Sequence, residues 1–498
     1  MKRALLLIGL LLGVGARAGT APAAPLPSPA AAAPAAMALA IVVADQTALR
    51  AEARDSATQH AVLWAGDRLE VRAERLDFVQ VYDHRRERAG FVRQSQVRRI
   101  SLAAADAPEL MAVVRFLRDS PGDEALGIAY AAAYLQAAPA SAIGAEIFDA
   151  LGTLADRLAE RASANRSAAR NVLFAAHLEL AASYGIKISS FMQGGRMRLC
   201  YDGEAFRRVL ALEASDPQKA NAALALTRPD CVDPDLTPVA RHALDDWRRE
   251  VLDRAPRQHL SELLKNRLRL RSAAVWASIA FQRSRRGEDA GEAAARAVDE
   301  LASVAPAQLA ESDGDAMSEA AIRVGASRWA AEAAPRNKST LRIVTRAGEP
   351  GQTCIALVDP QHGPEQALLS RCTFGTVWTQ SARVNAQGSA LALAVQPLEG
   401  WRELWLFHKS GDGWLLDIAP PGSDGPDLGY IEFAGWVPGG KQLLAARETR
   451  SGGHFQRSFE LLDIGTLKVL KQAEQPAHLS PFYRWQDPEW KRQTLSLR

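Results

Sequence analysis

The sequence predicts a multidomain chain of three parts: a small all-β barrel over residues 39–100, a central all-α region over 105–334, and an antiparallel β-rich region over 338–498. Three observations lead to this division. Residues 41–99 consist of short β-branched and apolar runs broken by polar residues every eight to ten positions, the pattern of a small all-β module. Beyond Ala107 the alternation gives way to apolar residues three and four apart on an alanine-rich background, the period of an amphipathic helix. Seven of the eleven tryptophans lie beyond residue 370, and short apolar strands separated by turns return there.

At 498 residues the chain exceeds what one core can organise. Its 48% apolar and 23% charged residues form an ordinary globular mixture. A net charge of +3 is small for this length and argues against a nucleic-acid partner, which would require a concentrated basic face. Lys2 and Arg3 precede the apolar run Ala4 to Val14 and then Ala16-Arg17-Ala18, the layout of a secretory signal. The run is too short to anchor stably in a bilayer. Residues 1–18 are therefore expected to direct export to the periplasm of a Gram-negative bacterium, leaving no transmembrane segment after cleavage. The Ala- and Pro-rich stretch 19–38 is expected to act as an extended linker.

In the first module, Leu69, Val71 and Ala73 alternate with Glu70 and Arg72, and Phe78, Val79 and Val81 precede the charged turn Asp83 to Arg88. A hairpin with one buried face and a solvated turn follows. Four short motifs stand in order: Leu49-Arg50, Gly66-Asp67-Arg68-Leu69, Phe78-Val79-Gln80-Val81 and Gly90-Phe91-Val92. In these the stretch resembles the bacterial SH3 (SH3b) domain family, whose Trp-Tyr-x-Val and Gly-Trp-Val motifs carry tryptophan where this chain has Phe78 and Phe91. The resemblance implies an SH3-like barrel and a ligand groove for peptide or glycan, and it makes Phe78, Tyr82 and Phe91 the candidate binding residues. Core packing is the other role open to Phe78 and Phe91, because so small a barrel has few large residues to fill it.

The central helices are marked by Leu110, Val113, Val114 and Leu117, by Ile147, Leu151, Leu154 and Leu158, and by later runs ending near Ala331. Short connections make neighbours antiparallel, giving a bundle or irregular array. Arg267, Arg269 and Arg271 are two apart, so they spread around their helix and read as a solvated face.

The C-terminal part contains an internal repeat. Residues 382–391 (ARVNAQGSAL) align without gaps with 434–443 (AGWVPGGKQL), each followed by apolar strands, and Trp485 begins an expected third, truncated copy. A spacing near fifty residues suits a four-stranded blade. The Trp436-Val-Pro-Gly-Gly440 turn is similar to the blade repeats of TolB-like periplasmic proteins. The length allows about three blades, fewer than a closed ring needs, so an incomplete propeller-like stack is expected.

Cys200, Cys231, Cys354 and Cys372 form an even set in a chain expected to be exported. Cys200 and Cys231 bracket a helical hairpin and Cys354 and Cys372 bracket a β-hairpin, so sequential pairing is expected. Neither a Cys-x-x-Cys pair nor adjacent histidines support a metal site, and no cofactor is implied. No Gly-x-Ser-x-Gly elbow or His-Glu-x-x-His helix occurs. Gly435 to Lys441 has phosphate-loop spacing, but Gln442 supplies no hydroxyl and a strand follows. His242 with Asp245 and Asp246 is expected to be a solvent-facing helix turn. No catalytic residue is assigned. Two functions are expected from different classes: a non-catalytic envelope protein that binds a protein or cell-wall partner, or a peptidoglycan hydrolase with a helical catalytic domain and an SH3b-like targeting module.

Overall fold

The computed structural model describes residues 38–165, 167–333, 340–422 and 425–493. The expected signal at 1–18 and nearly all of the linker at 19–38 lie outside them. Seven strands form the N-terminal sheet: β1 (Leu39–Val42), β2 (Thr47–Arg50), β3 (Gln59–Leu63), β4 (Arg68–Arg75), β5 (Phe78–Asp83), β6 (Arg88–Arg93) and β7 (Val97–Ile100). Their order is β3-β2-β6-β5-β4-β1-β7. The path is open, with β3 and β7 as edges, so hydrogen bonds do not close the expected barrel. Val79, Val81, Leu49, Leu63, Leu69 and Val92 form its core. Ala40 and Val42 point into that core, while Ile41, one residue out of phase, packs with the helices.

The middle of the chain is helical: α1 (Ala107–Arg118), α2 (Glu124–Ala137), α3 (Ala145–Ala164), α4 (Ala168–Ser183), α5 (Glu204–Ala211), α6 (Asp216–Leu226), α7 (Pro238–Asp253), α8 (Glu262–Arg285), α9 (Gly291–Ala302) and α10 (Gly314–Ser327). Helix α6 opens on a capping box between Ser215 and Gln218, with Pro217 in the first turn. The all-α expectation fails at one place. A hairpin of β8 (Ile188–Gln193) and β9 (Arg196–Tyr201) stands between α4 and α5. Its inner end, Ile188 and Tyr201, packs on the α3–α4 core.

After residue 340 come a three-stranded sheet, β10 (Arg342–Ala347), β11 (Thr353–Val358) and β12 (Leu369–Thr373), and an eight-stranded one. The latter consists of two antiparallel meanders, β13 (Thr376–Val384) to β16 (Gly413–Ala419) and β17 (Gly429–Trp436) to β20 (Val469–Ala473). They join where β15 (Trp401–Ser410) runs parallel to β17 over Trp401–Gly429 and Arg402–Tyr430. The repeated sequence falls on the first turn of each meander, between β13 and β14 (Ala390–Leu398) and between β17 and β18 (Gln442–Ser451). Trp485 does not begin a strand: Ser480-Pro481 starts a helix, α11 (Ser480–Trp485), followed by α12 (Pro488–Gln493). Phe482 and Trp490 from these helices cover Phe459 and Tyr430 of the second meander, together with Leu461 of β19 (His454–Asp463).

The parts are tied by buried charge. Arg402, fully buried, donates to Glu432 at 2.7 Å and to the Gly325 carbonyl of α10. Arg328 reaches the same carboxylate at 3.2 Å and Trp490 Nε1 donates to its other oxygen at 2.7 Å. A Cβ on Gly325 would sit 2.6 Å from the Tyr430 ring, so the helix lies against the sheet only because that side chain is absent. Asp245 is fully buried, contrary to the solvent-facing turn expected there. It accepts from Arg241, Arg248, Ser278 and Gln282. Arg241 and Arg323 also pair with Glu399 of the β14–β15 turn. Arg271 is likewise not on a solvated face: burial pushes its guanidinium down to about 9, and it donates to the Leu224 carbonyl at 3.0 Å.

Candidate binding site

Strand β5 turns Val79 and Val81 into the core, which sends Phe78, Gln80 and Tyr82 to the opposite face. The register pairs Phe78 with Arg93, Gln80 with Phe91 and Tyr82 with Ala89. All three expected binding residues therefore share one face of the sheet. Neighbouring strands place Arg75 opposite Phe78, Glu70 opposite Tyr82 and Arg50 opposite Phe91. Phe78 is 6% exposed, with the Arg93 guanidinium 5.3 Å from its ring centroid. Tyr82 and Phe91 are half-buried. Arg72 lies 4.3 Å over the Tyr82 ring, and the His84 ring meets it edge-on at 4.8 Å.

Charge on this face is uneven. Arg93 is paired with Asp55, and Glu70 takes both His84 and Arg72, the His84 hydrogen bond chiefly holding its carboxyl below the ordinary range. Arg50 and Arg75 form no ion pair among the described residues. Phe78, covered by Arg93, therefore offers no open ring although it was expected to bind. The surface offers the half-buried rings of Tyr82 and Phe91, edged by the guanidinia of Arg75 and of Arg50, which gives one bond to the Ala57 carbonyl. Rings stack on flat or apolar groups, and guanidinia bind carboxylate or phosphate in a fork.

Beyond Glu70 and His84 a cavity of about 700 Å³ separates the sheet from α2 and α4, lined by Asp67, Arg68, Arg85, Gln136 and Tyr184. Asp67 is buried between Arg85 at 3.0 Å and Arg86 at 3.1 Å. Asp83 is also buried, although the charged turn it begins was expected to remain in solvent. Arg86 at 2.7 Å and the N–H groups of Arg85 and Arg86 satisfy it. Tyr184 donates to the Gly66 carbonyl at 2.8 Å, and burial pushes its hydroxyl up to about 12. Gly66 has φ +99°, and a Cβ there would strike the Ala125 carbonyl, so glycine is required where sheet meets helix. His177 of α4 pairs with Asp45 at 2.8 Å. Burial alone would raise Asp45, but the His177 bond and the Ala65 N–H bring it below its ordinary value. The sequence reading missed this cleft, because its walls meet through contacts far apart in sequence, such as the Tyr184–Gly66 bond over 118 positions.

Eight carboxylates are buried among the described residues: Asp67, Asp83, Glu124, Asp245, Glu300, Asp313, Glu432 and Glu460. Each is paired with at least one arginine. Asp149 differs. It lines an open cleft of about 600 Å³ with Arg118, Glu146, Glu213 and Gln218. Burial pushes its carboxyl up, against the pull of Arg118. Among the described residues no three or more His, Cys, Asp and Glu side chains converge as a cation site would require.

Disulfides join Cys200 to Cys231 and Cys354 to Cys372. The second links residues directly opposite each other on β11 and β12. No helix among the described residues is long and apolar enough to cross a membrane. No known family model matches the chain, and comparison with curated proteins and with solved structures finds no match.

Proposed function

We propose that this chain is an exported, non-catalytic protein of the cell envelope that binds a protein or cell-wall partner. Its N-terminal sheet is read as an SH3b-like module and its C-terminal meanders as an incomplete propeller-like stack. The observation that carries the reading is the single sheet face on which the half-buried rings of Tyr82 and Phe91 lie among Arg50, Arg72, Arg75 and Arg93, with Phe78 packed beneath Arg93 as part of its floor. Ring faces with spare guanidinium donors suit a polymer that presents apolar ring or peptide planes together with carboxylates. Two disulfides suit an oxidising compartment such as the periplasm. Two meanders carrying the same repeated turn support the blade reading. The arginine pairing of the eight buried carboxylates favours structural roles for them, since a glycosidase acid must hold its proton at neutral pH.

Purified protein incubated with isolated sacculi tests this. Co-sedimentation without release of muropeptides supports it. Digestion of sacculi overturns it in favour of the second reading, a peptidoglycan hydrolase with its catalytic group in the helices. One observation favours that alternative: Asp149, with its raised carboxyl, stands beside Glu146 and Glu213 in an open cleft. Under that reading Asp149→Asn abolishes the digestion.

A further inference from the structure

The hairpin β8–β9 has no part in the surface described above, yet its outer half is apolar, basic and exposed. Gly194 and Gly195 both have positive φ, +56° and +74°, and form its two-residue turn. In such a hairpin the pair flanking the turn, Gln193 and Arg196, exchanges hydrogen bonds, and bonded pairs alternate from there. Phe191 and Ser189 therefore bond inward to β9. Ile188, Ser190 and Met192 turn their N–H and C=O groups outward.

The two outer edges are not equivalent. On β9, Leu199 lies opposite Ser190. Its N–H donates to the Ser163 Oγ of α3 at 2.8 Å, and the same hydroxyl donates to its carbonyl at 3.3 Å. That edge is covered by the bundle. On β8 the outward groups of Ser190 and Met192 have no backbone partner among the described residues. An uncovered strand edge is a template for another strand.

The hairpin is also held in place, by Cys200–Cys231 at its base and by Arg198 paired with Asp230. Met192 and Met197 face each other across it, 53% and 60% exposed. The segment 187–201 contains Lys187, Arg196 and Arg198 and no acidic residue. Lys187 and Arg196 form no ion pair among the described residues.

We propose that the outer edge of β8 accepts an extended acidic segment of a protein partner as a third strand. Main-chain bonds would run to Ser190 and Met192, acidic side chains would meet Lys187 and Arg196, and the adaptable methionines would cover apolar side chains. A lipid surface fits less well, because hydrocarbon cannot satisfy the outward backbone groups. A second copy of the hairpin would bring like charges together.

The test uses the full chain and a fluorescein-labelled peptide of about ten residues with alternating valine and glutamate, beside its valine–lysine counterpart. Binding of the glutamate peptide, with new amide-exchange protection at Ser190 and Met192, is the expected result. Ser190→Pro removes an outward N–H that the hairpin itself does not use, a placement that edge strands tolerate. It is expected to weaken binding at least about tenfold while exchange protection on β9 is unchanged. The double variant K187E/R196E is expected to reverse the preference between the peptides. Equal binding of both peptides by the parent, undiminished binding by Ser190→Pro, or a concentration-dependent dimer that Ser190→Pro abolishes would each overturn the proposal.

Discussion

Replacing Glu432 by glutamine tests the buried junction between the helices and the second meander most directly. The parent carboxylate is 1% exposed and receives Arg402, Arg328 and Trp490. Glutamine keeps the shape, removes the negative charge and turns one oxygen into an N–H₂ donor facing guanidinium donors. Arg402, with no accessible surface, is left without an anion. Breaking a buried ion pair from one side costs roughly 3–5 kcal/mol. Arg402 retains the Gly325 carbonyl and the Tyr430 ring at 4.8 Å, which places the loss near the lower end, about 3 kcal/mol. With a urea slope of about 2 kcal/mol per molar, the midpoint should fall by about 1.5 M. Urea titration followed by tryptophan fluorescence has two of its eleven reporters at this junction, since Trp490 bonds to Glu432 and the Arg328 guanidinium lies 4.0 Å from the Trp329 ring centroid. The double variant R402M/E432L removes both charges and is expected to lose less than Glu432→Gln alone. A Glu432→Gln midpoint within about 0.2 M of the parent would refute the reasoning.

Other outcomes follow from the same geometry. Tyr82→Ala combined with Phe91→Ala should reduce co-sedimentation with sacculi at least about tenfold with little change in melting temperature, since both side chains are half-buried on the outer face. Replacing either cysteine pair by serine should cost about 3–4 kcal/mol by loop-closure entropy, given separations of 31 and 18 residues, and calorimetry measures it. Acid should destabilise the fold with a defined sign. Burial raises Glu124 and Asp245, but the Gly122 N–H with Arg157 and Arg161, and Arg241 with Arg248, bring them below their ordinary 4.5 and 3.8. The unfolded chain therefore takes up these protons first as the pH falls. The stability they contribute is complete above those ordinary values and is lost as the pH drops through the lower folded ones. Melting temperatures measured between about pH 2.5 and 7 should rise with pH at the acid end and then level off.

Much of the secondary structure could be read from period alone. Leu110, Val114 and Leu117 are buried on α1 as their spacing requires, and the alternation of β5 put Phe78 and Tyr82 on one face. Period does not say which face is covered, so the near-complete burial of Phe78 under Arg93 was not legible. The β8–β9 hairpin escaped because its alternation is blurred. One face is half-buried against α3 and α4 at its base and exposed at its tip, leaving Gly194-Gly195 as the only plain signal. The charged junctions were the least visible. Asp245 reads as a surface acid on α7 until Ser278 and Gln282 arrive from α8, and nothing in the sequence around Glu432 marks the partners Arg402 and Trp490 that close over it. Such partners are set by topology, which no local pattern encodes.

The arginine clamps on the eight buried carboxylates also bear on how the protein can be handled at the bench. The chain has only ten lysines, and among the described residues no lysine is buried. Amine-directed labels and surface coupling should therefore decorate the exterior and spare the internal ties. Lys187 is exposed beside the uncovered strand, so immobilisation through amines risks masking that edge in a search for partners. Attachment through an engineered surface thiol would be harder on the two native disulfides, and coupling through an appended tag avoids both problems.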